Sequence, residues 1–121
     1  MQYVILIYQG STPLPGSPEW EGFPEEEKQK VYADYGAINQ TSGVTPGPPM
    51  GLPENATTVR VEGGKTLTTD GPFVGMKEAV GGFFVLEADN LDAAIELAAR
   101  VPAARLGGAI EIRPSEAYWN K

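Results

Sequence analysis

Tyr3-Val4-Ile5-Leu6-Ile7-Tyr8 is an unbroken run of β-branched, aliphatic and aromatic residues with no charged position. A strand with one wet face alternates, whereas a run that does not alternate reads as a strand buried on both faces. Gly82-Phe83-Phe84-Val85-Leu86 has the same character. Two such strands in a chain of 121 residues mark the centre of one sheet, and the remaining elements are placed around them.

The other strand-like stretches differ. Residues 57–62 alternate, with Val59 and Val61 inward and Thr58, Arg60 and Glu62 outward. Gly63-Gly64 supplies a two-residue hairpin turn, and residues 65–69 return as a short strand into Asp70-Gly71-Pro72. Residues 109–113 alternate again and close the fold before Pro114. Alternation assigns these stretches to the outside of the sheet.

A helix is expected from Pro24, a good first-turn residue. Glu25, Glu26 and Glu27 sit where the helix dipole favours negative charge. Val31, Tyr35 and Ile38 form its apolar stripe and Gly43 its stop. A second helix is expected behind an Asp89 or Asn90 cap, with Leu91, Ala94, Ile95, Ala98 and Val101 on one face and Pro102 at its end. Residues 45–53, with four prolines and two glycines, read as loop. Residues 9–23 are Pro-rich and carry Trp20, which makes them either a binding loop or lid or a disordered tip. The resulting order of strand, helix, strand hairpin, strand, helix, strand gives a single α+β domain over residues 1–121. Its arrangement is the ferredoxin-like split βαβ sheet with an added hairpin decorating the second strand.

Two helices cover one face of such a sheet. The opposite face would expose half of the side chains of both central strands, a patch that a monomer rarely carries. A homodimer packed sheet on sheet covers it.

Composition narrows the chemistry. There is no cysteine and no histidine. Disulfides, thiolate metal sites and cysteine nucleophiles are therefore excluded, and so are the commonest general base and the commonest metal ligand. No metal site and no cofactor are expected. The net charge is -7, with the nine Lys and Arg scattered along the chain. Without a basic stripe there is no electrostatic footprint for nucleic acid or an anionic membrane surface. Residues 3–8 are too short to span a bilayer and have no basic flank, so a cytoplasmic location is the default.

Asp, Glu, Lys, Arg, Tyr, Ser and Thr remain to act. Asp70 leads: a carboxylate at a rigid strand end can serve as a general base or a ligand anchor. It can equally accept backbone N–H bonds and pin its turn. Lys77 can orient an anionic ligand, or make only a surface ion pair with Glu78. Arg105 can hold a carboxylate or phosphate in a forked contact, or form a salt bridge to Asp70, Glu111 or an acid of a partner chain. Tyr8 ends the first strand, where its phenol can reach a cleft or lie at the rim of the core. Phe73 belongs to the aromatic surface available to an apolar pocket. Gly81-Gly82 can admit a ligand or a backbone, or mark a bulge.

Thr69-Asp70-Gly71-Pro72-Phe73, followed by Lys77-Glu78, Gly81-Gly82-Phe83-Phe84 and Pro102-Ala103-Ala104-Arg105, resembles the DGPF-domain branch of the YCII-related protein family. The resemblance implies a dimeric α+β barrel of largely unassigned function. Some members of the wider group are similar to a dehydrochlorinase and pair a His with an Asp in the cleft. This chain has no His, so only the acidic position carries over, to Asp70. Members of the branch are linked with extracytoplasmic-function sigma factors, and Leu106 stands where a Tyr is common among them. Two functions follow as expectations. One is a small-molecule binder or enzyme with a cleft near the Asp-Gly-Pro-Phe turn, its site drawn from Asp70, Tyr8, Phe73, Lys77 and Arg105. The other is a non-catalytic dimeric regulatory module acting with a protein partner such as a sigma factor.

Overall fold

The computed structural model describes residues 1–75 and 78–116. Strand β1, Gln2–Tyr8, is central. It pairs antiparallel with β5, Val80–Glu87, on one side and with β6, Ala109–Pro114, on the other. The order of the four-stranded sheet is β2-β5-β1-β6, with every neighbour antiparallel. That order is compatible with the ferredoxin-like arrangement, and it places the two wholly apolar runs at the centre, as their composition requires.

Because strand side chains alternate between faces, the central strands sort cleanly. Tyr3, Ile5 and Ile7 of β1 and Phe84 and Leu86 of β5 are buried on one face. The helix α2, Glu25–Asn39, contributes Val31 and Ile38 to the buried side, with Tyr35 partly buried against the core. Helix α3, Leu91–Ala98, is capped by Asn90, whose Oδ1 accepts from the Ala93 N–H at 2.9 Å. Its buried residues are Ala94, Leu97 and Ala98, and Val101 follows in phase. Leu91 and Ile95, expected on the same face, instead stand outward at 50% and 49% exposure. α3 ends at Ala98, short of the expected stop at Pro102, which instead opens a further turn, α4 (Pro102–Arg105), where a proline is tolerated because its N–H is not needed.

The second strand of the main sheet departs from expectation. The edge place beside β5 belongs to β2, Val44–Pro46, with Val44 opposite Leu86 and Pro46 opposite Phe84. The stretch had read as loop because of its prolines. A three-residue edge strand tolerates proline, since its outward N–H has no ladder partner to lose. Gly43, the expected helix stop, lies at φ +91°, and a Cβ there would stand 2.5 Å from the Glu87 carbonyl oxygen. This glycine therefore serves the close approach of β2 to β5. The helix itself ends earlier, at Asn39.

The hairpin of β3 (Thr57–Glu62) and β4 (Lys65–Asp70) forms a two-stranded sheet of its own and does not join the main one. Gly63 and Gly64 turn it with φ of 55° and 78°, the two positive values a type I′ turn demands.

Residues 9–23 are anchored at both ends. The Ser11 N–H donates to the Gly107 carbonyl and the Thr12 hydroxyl to the Leu106 carbonyl at 3.1 Å. Near the other end the short helix α1, Pro18–Glu21, is capped by Ser17. It sets Trp20, 5% exposed, edge-on to Tyr32 of α2 and beside Phe23. The Lys28 ammonium lies 5.9 Å from the indole centroid. The two earlier readings, a lid or a disordered tip, both missed this anchoring of the indole, for which a lone Trp in a Pro-rich stretch gives no periodic signal.

Candidate functional site

The Asp-Gly-Pro turn begins where the hairpin ladder ends, at the pair Thr57 and Asp70. Gly71 takes φ +101°, and its N–H donates to the Ala56 carbonyl at 2.7 Å. The Thr58 hydroxyl then donates to the Gly71 carbonyl at 2.7 Å. Both backbone groups of Gly71 are held, and the chain leaves the hairpin in a fixed direction. Pro72, Phe73 and Val74 consequently run past the segment that carries the 3₁₀ turn Pro53–Asn55.

Between these segments and the start of β5 lies an open groove of about 470 Å³, lined by residues 50–53, Asn55, Ala56, residues 72–74, Ala79 and Val80. Asn55 is the one polar side chain among the described residues of that lining. Ala79, 5% exposed, belongs to the buried set, whereas Phe73 is 73% exposed. The Arg60 guanidinium lies 5.7 Å from the Phe73 centroid, in reach of a cation–π contact, and is held by Glu62 at 2.7 Å.

The residues nominated from the sequence fall in different places. Phe73 lines the groove. Asp70 is exposed at the end of β4, two residues before the lining begins, and its carboxylate makes no hydrogen bond or ion pair among the described residues. The turn is pinned by Thr58 and by the Gly71 amide. Lys77 lies outside the described residues. Tyr8 is partly buried on the uncovered face of the sheet, paired with Ala109 and with Val80, itself a groove residue. Arg105 is engaged elsewhere: Nη1 reaches Glu27 at 3.4 Å and Nη2 reaches Asp34 at 3.2 Å, tying α4 to α2. Neither partner was anticipated, because both stand more than 70 residues away in sequence.

Gly81 marks a bulge. The register of β1 against β5 passes from Gly82 opposite Ile7 to Val80 opposite Tyr8, leaving Gly81 unpaired. The Gln9 side chain lies directly over it, where any Cβ would collide. The Gln9 side chain also lies near the Tyr35 phenol. Burial raises the pKa of that phenol above its ordinary value, with Gln9 acting in the opposite direction.

A smaller cavity of about 310 Å³ lies at the far end of β5, where Thr41, Ser42, Glu87, Asp89, Glu96 and Arg100 meet. Among the described residues no group of three or more acidic side chains is placed to hold a metal ion, and no helix is long and apolar enough to cross a membrane.

Met50, Leu52, Pro53, Asn55, Ala79 and Val80 were not foreseen as site residues. Their only local signal was a Pro-rich stretch, and their meeting with residues 72–74 is a tertiary event. The YCII-related domain family matches residues 1–116. An uncharacterised protein of Rhizobium meliloti (strain 1021) is 29% identical over 123 residues, covering 98% of this chain and 94% of that protein. With its α+β fold and a family match over nearly its whole length, the chain belongs to the YCII-related domain family.

Proposed function

We propose that this chain is a member of the DGPF branch that binds a small, largely apolar molecule in the groove beside the Asp-Gly-Pro turn, and that it does so as a homodimer. One observation carries the reading: the signature turn is held rigidly, and the residues that leave it form one wall of a groove of about 470 Å³. That volume falls within the ~300–1,000 Å³ usual for ligand sites, and an apolar lining with few polar groups is their usual chemistry. Asn55 offers a hydrogen bond inside the groove, and Asp70, at the end of β4 two residues before the lining, is the candidate anchor or base. Any reaction would run through Asp, Glu, Lys, Arg, Tyr, Ser or Thr side chains, since the chain has neither His nor Cys.

The homodimer rests on the uncovered face of the main sheet. Val4, Leu6, Phe83 and Val85 alternate with the core residues of β1 and β5, and among the described residues no helix covers them. Phe83 is 40% exposed there.

A thermal-shift screen against metabolite-sized apolar compounds tests the ligand reading, since a ligand of the native state raises its melting temperature. Phe73→Ala removes one wall without touching the core, and Asp70→Asn removes the charge at the end of β4. Hits that weaken in Phe73→Ala place the ligand in the groove. Hits that bind both variants as tightly as the parent protein sink the assignment.

A further inference from the structure

Cross-strand pairing sorts the β3–β4 hairpin into two faces. Thr57, Val59 and Val61 share one with Asp70, Thr68 and Thr66, while Thr58, Arg60 and Glu62 share the other with Thr69, Leu67 and Lys65. The segment that leaves the Asp-Gly-Pro turn runs along this second face. The Thr58 hydroxyl donates to the Gly71 carbonyl. Two residues further along each segment, the Arg60 guanidinium stands 5.7 Å from the centroid of the Phe73 ring.

Phe73 therefore has two neighbours: it forms a wall of the groove, and it is the platform beside which Arg60 stands. The ring is 73% exposed, so the way along it from groove to guanidinium is open. Among the described residues the lining carries no charged side chain, and its polar one is Asn55. Arg60 thus sets a positive charge at the edge of an apolar groove, on a chain whose net charge is -7. Asp70 belongs to the other face of the hairpin, and the ion pair of Arg60 is with Glu62, at 2.7 Å.

That ion pair is open to exchange. Both of its side chains are more than half exposed, and an exposed pair adds little to stability. Lys65 stands directly opposite Glu62 on β4. A Glu62 carboxylate that lets go of Arg60 consequently keeps a cation across the ladder. A carboxylate carried by a ligand can take Arg60 in a forked contact of two charge-assisted hydrogen bonds. The apolar body behind it removes Met50, Leu52, Phe73 and Val80 from water. A neutral ligand has only the second of these gains.

We propose that the groove selects an apolar molecule ending in a carboxylate, with Arg60 as the residue that reads the carboxylate and Glu62 as its resident competitor. This rests on the groove reading above and names its ligand class.

The test is isothermal titration calorimetry of the full chain with hexanoate, octanoate, decanoate and phenylbutyrate, each beside its primary amide. The amide keeps the apolar body and removes the charge. The parent protein is expected to bind a carboxylate on the order of tenfold more tightly than its amide. Arg60→Gln brings that ratio to about one and leaves the amides where they were. Glu62→Gln, which removes the competitor, tightens the carboxylates and not the amides, a change that loss of structure does not produce. Amides that weaken in Phe73→Ala while the carboxylates bind no better than they do overturn the ligand class and leave the groove standing. So does a carboxylate preference that survives in Arg60→Gln. A series in which nothing binds, or in which binding ignores Phe73→Ala, overturns the groove reading and the ligand class together.

Discussion

The four-stranded sheet and the hairpin are both antiparallel ladders of about six-residue strands, and they differ in what lies behind them. β1 and β5 place every second side chain into a core closed by α2, α3 and α4, so Ile5 is wholly buried and Tyr3, Phe84 and Leu86 nearly so. The hairpin has no core of its own and holds its form through its ladder, its Gly63-Gly64 turn and the clamp on Gly71. Regular backbone pairing is common to the two; only burial separates the part that stabilises the molecule from the part free to meet something else.

Core truncation should break this contrast most strongly. Ile5→Ala removes buried methyl groups from the centre of the sheet and is expected to cost ~2–5 kcal/mol in urea unfolding. Val61→Ala on the hairpin should stay within about 0.5 kcal/mol under conditions where the protein is monomeric. Similar losses at the two sites would mean that the hairpin is packed against the body after all.

A smaller effect sharpens the account of the turn. Thr58→Val removes the hydroxyl that donates to the Gly71 carbonyl and should cost about 1 kcal/mol, seen as faster hydrogen exchange at the foot of the hairpin. Asp70→Asn should leave both stability and exchange unchanged, because no described residue bonds that carboxylate. A destabilised Asp70→Asn would return the pinning role to the carboxylate.

The smallest effect at neutral pH concerns Tyr35, which packs against the core. Its folded-state pKa is raised, so its contribution is complete below the unfolded value near ~10 and is lost as pH climbs through the folded value. Tyr35→Phe should therefore lose stability less steeply than the parent above about pH 10. Parallel curves for the two proteins would show that the phenol is not desolvated by the fold.

Much of the fold was legible because it is written in local period. Two non-alternating runs gave the sheet centre, the Val31–Tyr35–Ile38 stripe gave α2, and two adjacent glycines gave the hairpin turn. What escaped was set by partners distant in sequence. β2 is three residues bounded by proline and becomes a strand only because β5 offers an edge. Alternation at residues 57–62 announces a strand but not which sheet it joins. The outward turn of Leu91 and Ile95 depends on how α3 rolls against β6, which spacing alone cannot give. Of the candidate site, Phe73 was legible through the turn that precedes it. The opposite wall was not, since Met50, Leu52 and Val80 have no pattern in common. For Arg105 a salt bridge was one of two readings, but its partners were sought in Asp70, Glu111 or a second chain, because the two acids it meets lie on another helix.

The two margins of the main sheet have a consequence for how far this molecule can grow by association. β2 is short and ends on Pro46, while β6 ends on Pro114 and carries the charged pair Glu111–Arg113 at 2.6 Å. A proline offers no N–H to an incoming strand, and charges along an edge discourage lateral addition. Strand-by-strand extension into a filament is therefore blocked on both sides, and contacts between molecules are steered onto faces, where a symmetric pair closes on itself and stops.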